Sequence, residues 1–353
     1  MDTEGGSMTD VENEKLAPFF RPIYVELLES LSFINSPEAA DKPTEAWVLE
    51  VTRTILKIID PSISQDALPS HGVLNLVRFA TTVCREHPPK AQLAMAHYTV
   101  LVASIDDRAS KDDEKFTRDM ELFQVKMCSP DGYSRLFPGR GPLHPLLENM
   151  ITFLTTDLCP FFLKHPILHN ILIKSTMDFI AACQLEELHK GRLGSKLELS
   201  TEMQQYPAYL RVKTGVAEAF SLLVLSPLAD EEDSDLFYNK IFPVMADLND
   251  FWVNLNDLLS LYKEIKAGDP NSYLLQDAKV NSTTLHDSIR KLCTHSVEVH
   301  KRIMSVVDNS GSPKFKEYMV QMYQGFLLWH VGFANRYHLD EVLSEWFAGV
   351  YWT

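Results

Sequence analysis

The chain has 353 residues, of which 45% are hydrophobic and 23% charged, so it has enough apolar side chains for a large core. A formal net charge of −15 argues against a nucleic-acid partner, because nucleic acids select basic surfaces; an acidic protein can still bind a phosphorylated ligand through divalent cations. The five cysteines are scattered and form no CxxC pair, which predicts reduced thiols in a cytoplasmic protein.

Helical periodicity runs along most of the chain, strand-like alternation is rare, and only 14 glycines occur. The pattern predicts an all-α, single-domain bundle of roughly ten helices. A loop rich in Gly and Pro is expected at residues 128–143. The predicted helices span about 18–33, 44–59, 65–86, 90–108, 143–159, 166–191, 206–225, 233–266, 281–308 and 312–338.

Residues 1–16 are predicted to be a disordered lead-in, and residues 17–353 a single helical domain. The N-terminus, from Met1 to Glu14, is polar and acidic and does not resemble a signal peptide. The most apolar region, Met150 to Ile173, is interrupted by charged residues and prolines and fails the test for a membrane span. We therefore expect no membrane insertion.

The most specific motif is NDxxSxxKE, at residues 256–264. On a helix, Asn256, Ser260 and Glu264 fall at i, i+4 and i+8 and form one stripe. An amide oxygen, a hydroxyl and a carboxylate then converge, and magnesium prefers such oxygen ligands. Lys263 lies beside the stripe and could reach a phosphate. The flanking residues are apolar, so the helix is expected to be buried rather than solvated.

A second motif, Asp106-Asp107, ends an apolar helix that begins near Ala94. Paired carboxylates at the end of a buried helix suit a site that holds metal ions around a diphosphate. The next acids, Asp112 and Asp113, have two readings. They could also bind metal, or they could begin the following helix, where negative charge is favourable to the helix dipole.

These residues closely resemble the fungal trichodiene synthase family of class I sesquiterpene cyclases, from about Ala94 to Leu343. The resemblance implies the helical bundle of the isoprenoid synthase fold, with a central active-site cavity, and a magnesium-dependent lyase. It also implies three Mg²⁺ ions, an isoprenyl diphosphate substrate and a possible homodimer. The sequence departs from the family's DDxxD pattern, because Ser110 stands at the fifth position.

Position by position, the resemblance implies three sets of site residues. The metal ligands would be Asp106, Asn256, Ser260 and Glu264. The groups that bind diphosphate would be Arg211, Lys263, Arg336 and Tyr337. The groups that respond when the site closes would be Asp107, which would pair with Arg336, and the linker and effector residues Thr214 and Gly215.

The carbocation formed by ionisation needs an apolar cavity that excludes water, and aromatic rings can stabilise it. Such residues should lie one or two helical turns deeper than the metal ligands. Ordinary core packing is the alternative for each of them. The candidates are Tyr98, Val102, Phe179, Trp252, Trp329 and Phe333.

The expected reaction is the ionisation of farnesyl diphosphate, release of diphosphate and cyclisation to a polycyclic hydrocarbon or alcohol. Geranyl and geranylgeranyl diphosphate stay open as substrates, and a tricyclic alcohol such as longiborneol stays open as the product. Two alternatives remain. One is a chain-elongating prenyl diphosphate synthase, which usually has two aspartate-rich motifs. The other is a catalytically silent helical binding protein.

Overall fold

The computed structural model describes residues 10–33, 45–59, 70–111, 113–187, 197–231, 234–269 and 272–344. Within these ranges the regular structure is helical and no strand occurs, which confirms the all-α class. The first eight α-helices are α1 (Asp10–Ser30), α2 (Glu45–Ile59), α3 (His71–Val83), α4 (Pro89–Ala109), α5 (Glu114–Cys128), α6 (Pro130–Leu136), α7 (Pro145–Thr152) and α8 (Pro166–Glu187).

The second half of the chain continues the bundle. Its helices are α9 (Tyr206–Thr214), α10 (Ala217–Glu231), α11 (Ser234–Leu236), α12 (Met245–Ala267), α13 (Tyr273–Asn281), α14 (Leu285–Asp308), α15 (Pro313–Gly332), α16 (Ala334–Tyr337) and α17 (Leu339–Leu343). Two π-helical turns, Phe153–Asp157 and Phe237–Ile241, and three 3₁₀ turns, Cys159–Phe161, Thr201–Met203 and Phe242–Val244, complete the regular structure of the described residues.

Helix α12 is the central element of the bundle and packs against α1, α10 and α14. Its side chains are buried almost all round, from Phe251 to Tyr262, as expected of a helix with apolar residues on several faces. Helix α3 packs between α4 and α15, and α8 packs on α5, α9 and α10. This packing leaves one cavity in the middle of the bundle, and α3, α4, α8, α10, α12 and α15 all contribute to its wall.

Local sequence accounts for several helix ends. The side chains of Ser70 and Thr284 accept hydrogen bonds from backbone N–H groups in the first turns of α3 and α14, as N-caps do. Helix α12 ends at Gly268, whose φ of 64° lies in the left-handed region that glycine adopts without strain. The metal-binding stripe predicted for α12 therefore lies within a helix whose C-terminal end is determined by the adjacent sequence.

Several predicted boundaries are wrong. The loop expected at 128–143 contains the short helix α6, because Ser129 caps it and Pro130 is tolerated in its first turn. The helix expected at 206–225 breaks between α9 and α10, and the one expected at 312–338 ends at Gly332. In the segment expected at 233–266, Pro243 cannot donate a backbone hydrogen bond, and regular α-helix resumes only at Met245.

At the N-terminus, α1 begins at Asp10, inside the range expected to precede the domain. Residues 1–9 lie outside the described residues, so the division at 16/17 stays a prediction. One stretch, Tyr206–Ala229, is long and apolar enough to cross a membrane by length and composition, which the sequence reading of 150–173 overlooked. In the protein 67% of its most apolar window is buried, as in the core helix of a bundle.

Candidate active site

The three residues of the predicted stripe lie on consecutive turns of α12. Asn256 faces the central cavity, while Ser260 is buried one turn further on and Glu264 is half-buried beyond it. The hydroxyl of Ser260 donates to Glu264 Oε1 at 2.5 Å, so two of the three oxygens already converge. Three hard oxygen donors on one stripe fit a magnesium ion, which usually completes its coordination with water and phosphate oxygens.

No group of three or more His, Cys, Asp or Glu side chains with metal-binding geometry occurs in the described part of the chain. A site of the predicted kind needs no such group, since amide and hydroxyl oxygens replace carboxylates in it. The ligand roles of Asp106, Asn256, Ser260 and Glu264 stay predictions.

Arg211, on α9, lies directly against the start of the stripe. Its guanidinium donates to Asn256 Oδ1 at 3.0 Å and to Asp257 Oδ1 at 2.7 Å. Burial raises the pKa of Asp257 to about 6, although the Arg211 charge opposes this shift. The arginine expected to bind diphosphate therefore already contacts the residue expected to bind metal, and a ligand that attracts one would also affect the other.

Sequence reasoning missed His330, which is completely buried on α15. Its Nδ1 lies 2.9 Å from the carbonyl of Phe326, and its Nε2 lies 3.2 Å from Asn256 Nδ2. Burial lowers the pKa of His330 to about 3, so the ring is neutral at physiological pH. The sequence offered no indication of this contact, because residues 256 and 330 meet only when α12 and α15 pack together.

The second predicted ligand cluster lies at the end of α4. Asp106 lines the mouth of the cavity, and both Asp106 and Asp107 are exposed. The pKa of Arg336 is raised by Tyr337 and then by Asp107 and Asp106, against the effect of burial. Arg336 is thus electrostatically coupled to the aspartate pair, in keeping with its expected pairing with Asp107.

Asp113 has a structural function instead. Its side chain accepts a hydrogen bond from the backbone N–H of Phe116 at 3.0 Å and caps α5. It also pairs with Arg108. These contacts lower the pKa of Asp113, first through the Phe116 hydrogen bond. The helix-start reading of this acid is therefore correct, and Asp112 lies outside the described residues.

The arginine–tyrosine pair lies on the short helix α16. Tyr337 is buried, hydrogen-bonds with Arg336 and also contacts Asn256. The ammonium of Lys263 lies 5.0 Å from the centre of the Tyr337 ring, and burial followed by the nearby Arg336 charge lowers the lysine pKa. Three cations, from α9, α12 and α16, therefore surround the same end of the cavity.

The chain bends at the cavity wall between α9 and α10. Thr214 accepts a hydrogen bond from Arg211 at 3.4 Å and Gly215 ends α9. Val216 has a φ of 50°, an unfavourable backbone conformation for a β-branched residue. A Cβ at Gly215 would lie 2.3 Å from Val253 Cγ1, so only glycine fits against α12 here. The expected linker and effector residues therefore lie at a bend in contact with α12.

The cavity has a volume of about 310 Å³, and its deeper wall is aromatic. The indole N–H groups of Trp252 and Trp329 donate to Ser221 Oγ and to the carbonyl of Asn75. They are therefore paired with groups other than a ligand. Among the described residues, the lining consists of Leu76, Phe79, Thr99, Val102, Ala103, Asp106, Phe179, Glu186, Arg211, Thr214, Gly215, Val216, Phe220, Trp252, Asn256, Phe326, Trp329, Arg336 and Tyr337.

Four of the six predicted cavity residues line this wall, namely Val102, Phe179, Trp252 and Trp329. Tyr98 does not, because its hydroxyl is held by Thr176 at 2.8 Å. Phe333 does not either; it follows the last residue of α15, and its ring packs on those of Trp329 and Tyr337. The aromatic residues that the sequence reading missed are Phe79, Phe220 and Phe326.

Comparison with known proteins identifies the family. Residues 41–346 match the family model described as Trichodiene synthase (TRI5), which covers most of the chain. The chain belongs to the trichodiene synthase family. It is therefore a terpene cyclase, a lyase, and the predicted family and enzyme class are confirmed.

Three proteins similar to this chain are named for different products. An (E)-beta farnesene synthase of Metarhizium brunneum is 28% identical over 304 residues, 80% of this chain and 83% of the relative. A longiborneol synthase of Gibberella zeae is 25% identical over 332 residues, 93% of this chain and 88% of the relative. A trichodiene synthase of Trichoderma harzianum is 29% identical over 194 residues, 54% of this chain and 47% of the relative.

Proposed function

We propose that this terpene cyclase is a magnesium-dependent sesquiterpene synthase that ionises farnesyl diphosphate and cyclises the resulting cation to a polycyclic hydrocarbon or alcohol. One observation carries the proposal: the oxygen stripe on α12 and the cations Arg211 and Arg336 meet at one end of a cavity whose other walls are aromatic. A charged head and an apolar tail in one ligand match this division.

The head of the substrate would lie against Arg211, Lys263, Arg336 and Tyr337. Bound magnesium, three ions in our proposal, would supply Lewis-acid stabilisation of the negative charge that develops on the leaving diphosphate. The side chains would donate hydrogen bonds to the same oxygens, for which Arg211 would first turn away from Asn256 Oδ1. Asp107 would pair with Arg336 as the site closes, since the two are already coupled.

The tail would lie between the aromatic rings. The volume of about 310 Å³ is at the lower end of the roughly 300–1,000 Å³ of ordinary small-molecule sites, as suits a folded chain with little water. When the carbon–oxygen bond breaks, the electron pair leaves with diphosphate and an allylic cation remains. The faces of Phe79, Trp252 and Trp329 would stabilise that cation by about 1–2 kcal/mol each.

The test is an incubation of purified protein with farnesyl diphosphate, with and without Mg²⁺. Gas chromatography–mass spectrometry of the organic layer and release of diphosphate are measured. We expect a magnesium-dependent cyclic C15 product, whose mass reports whether water ends the reaction. A longer linear diphosphate formed only with isopentenyl diphosphate would indicate the elongating synthase. Unchanged C10, C15 and C20 diphosphates would indicate the binding protein.

Substitution of Asn256 and Glu264 by Ala tests the metal site. We expect diphosphate release to fall by more than about 100-fold, because direct ligands matter at least as much as the groups that orient them. The matched control is Asn254→Ala, on the same helix but lining a different cavity, and it should keep its activity. Diphosphate release that survives the double substitution would refute the metal assignment.

A further inference from the structure

The ring of His330 is buried among aromatic residues beside the stripe. Phe326, Trp329 and Tyr337 surround it, with ring centroids 4.4, 4.9 and 4.6 Å away. A phenyl ring would fill this space with equal apolar contact. The two hydrogen bonds made by the imidazole therefore distinguish histidine from phenylalanine at this position.

Arg211, His330 and Tyr337 contact the Asn256 amide; the Tyr337 hydroxyl can donate or accept, so Arg211 and His330 decide which way the amide faces. The carbonyl of Phe326 can only accept, so His330 Nδ1 carries a hydrogen and donates it to that carbonyl. The guanidinium of Arg211 can only donate, so it must face the Asn256 oxygen rather than its nitrogen. The remaining contact, at 3.2 Å, is then a hydrogen bond from Asn256 Nδ2 to His330 Nε2.

This assignment fixes which end of the Asn256 amide faces the end of the cavity where the diphosphate would bind. If the Asn256 amide turned over, its oxygen would meet the lone pair of His330 Nε2 and its NH₂ group would meet the donors of Arg211. Both contacts would be repulsive in a buried site. Only the oxygen of an amide can bind a cation, so an inverted amide would place hydrogens where a metal ligand is needed.

We propose that His330 is a positioning residue, which holds the Asn256 amide through Nε2 so that Oδ1 is presented toward the metal ions and the diphosphate. The proposal rests on the magnesium chemistry proposed above. In that chemistry Arg211 turns to the diphosphate and releases Asn256 Oδ1. The hydrogen bond to His330 does not depend on that movement, because it is made by the other end of the amide.

The experiment measures magnesium binding without turnover, using inorganic diphosphate as the probe. The melting temperature is measured at saturating diphosphate over a series of Mg²⁺ concentrations. The Mg²⁺ concentration that gives half of the full rise in melting temperature is recorded as the midpoint. In His330→Phe the ring packing stays and the acceptor is lost. We expect the midpoint to rise by about 10- to 100-fold, the usual effect of removing a group that orients a metal ligand. His330→Gln keeps an oxygen near the Nε2 position and should raise the midpoint less than His330→Phe does.

The controls separate this role from packing. His97→Phe replaces another buried histidine, which lies away from the site and whose ring centroid is 4.7 Å from that of Phe153. This substitution should leave the midpoint unchanged. In an Asn256→Ala background, His330→Phe should cause no further shift. If His330→Phe does not fold, His330→Asn replaces it, because it retains the donor to Phe326 but is too short to reach Asn256.

Three results would overturn the proposal. They are a wild-type midpoint in His330→Phe, an equal shift in the Asn256→Ala background, and equal impairment of the Gln and Phe variants. If the wild-type protein showed no response to Mg²⁺ and diphosphate, the metal site itself would be refuted and the role of His330 with it. A response in wild type that His330→Phe retains would refute only the positioning role.

Discussion

Among the described glycines, Gly325 on α15 should be the least replaceable for stability, because it brings α15 against the backbone of α3. A Cβ there would lie 2.6 Å from the Thr82 carbonyl oxygen and 2.8 Å from Val83 Cα. Both are backbone atoms, so no side-chain rotation can relieve the contact, and the helices must separate by about 1 Å to restore ordinary packing distances. Gly325→Ala tests this close approach.

The expected cost follows from two opposing effects. Overpacking of a dense core costs about 1–3 kcal/mol, and Ala recovers about 1 kcal/mol of helix propensity relative to Gly. The free energy of unfolding should therefore fall by up to about 2 kcal/mol. At about 2.1 cal/mol/K of unfolding entropy per residue, each kcal/mol corresponds to about 1.3 °C in Tm for a chain of 353 residues.

Gly72→Ala is the matched control, since a Cβ there would meet only Ser70 Oγ, at 3.9 Å. This exposed position in the first turn of α3 should gain up to about 1 kcal/mol. Differential scanning calorimetry should then place the two variants up to about 4 °C apart, with Gly325→Ala below wild type and Gly72→Ala above it. A Gly325→Ala protein that melts at or above the Gly72→Ala protein would refute the packing argument.

Three further predictions concern other parts of the protein. Gly215→Ala should lower kcat for diphosphate release, and adding Val253→Ala should restore it by removing the methyl that lies 2.3 Å from the new Cβ; failure to restore kcat would contradict this. Burial lowers the pKa of His97 to about 4, so the unfolded state binds the additional proton between pH 6.5 and 4. The free energy of unfolding from urea titrations should therefore fall on acidification by up to about 1.4 kcal/mol per pH unit from this group, and an unchanged slope in His97→Phe would refute it. Arg140→Ala should cost about 2 kcal/mol in the same assay, because it leaves the buried Asp119 carboxylate without its 2.9 Å partner, and adding Asp119→Asn should recover part of the loss.

Much of the candidate site was predictable because its parts are local in sequence. Asn256, Ser260 and Glu264 share one face of α12 by helical spacing alone, so they needed only the helix to form. Asp106 follows from its place at the end of an apolar helix. The same arithmetic could have corrected Tyr98: Thr99 lies seven positions before Asp106, about 20° away around the helix, whereas Tyr98 lies about 80° away.

Other features depend on how the helices pack. Phe326 and His330 belong to the site because α15 turns one face toward α12, and no spacing within α15 indicates which face that is. The bend at Gly215 lies against Val253 of α12, a contact that only the packing of α9 on α12 creates. The sequence by itself determined the helices, the oxygen stripe on α12 and the family. Only the tertiary structure decided which aromatic rings surround the cavity and which buried histidine meets Asn256, because contacts between helices are set by the packing of the whole bundle.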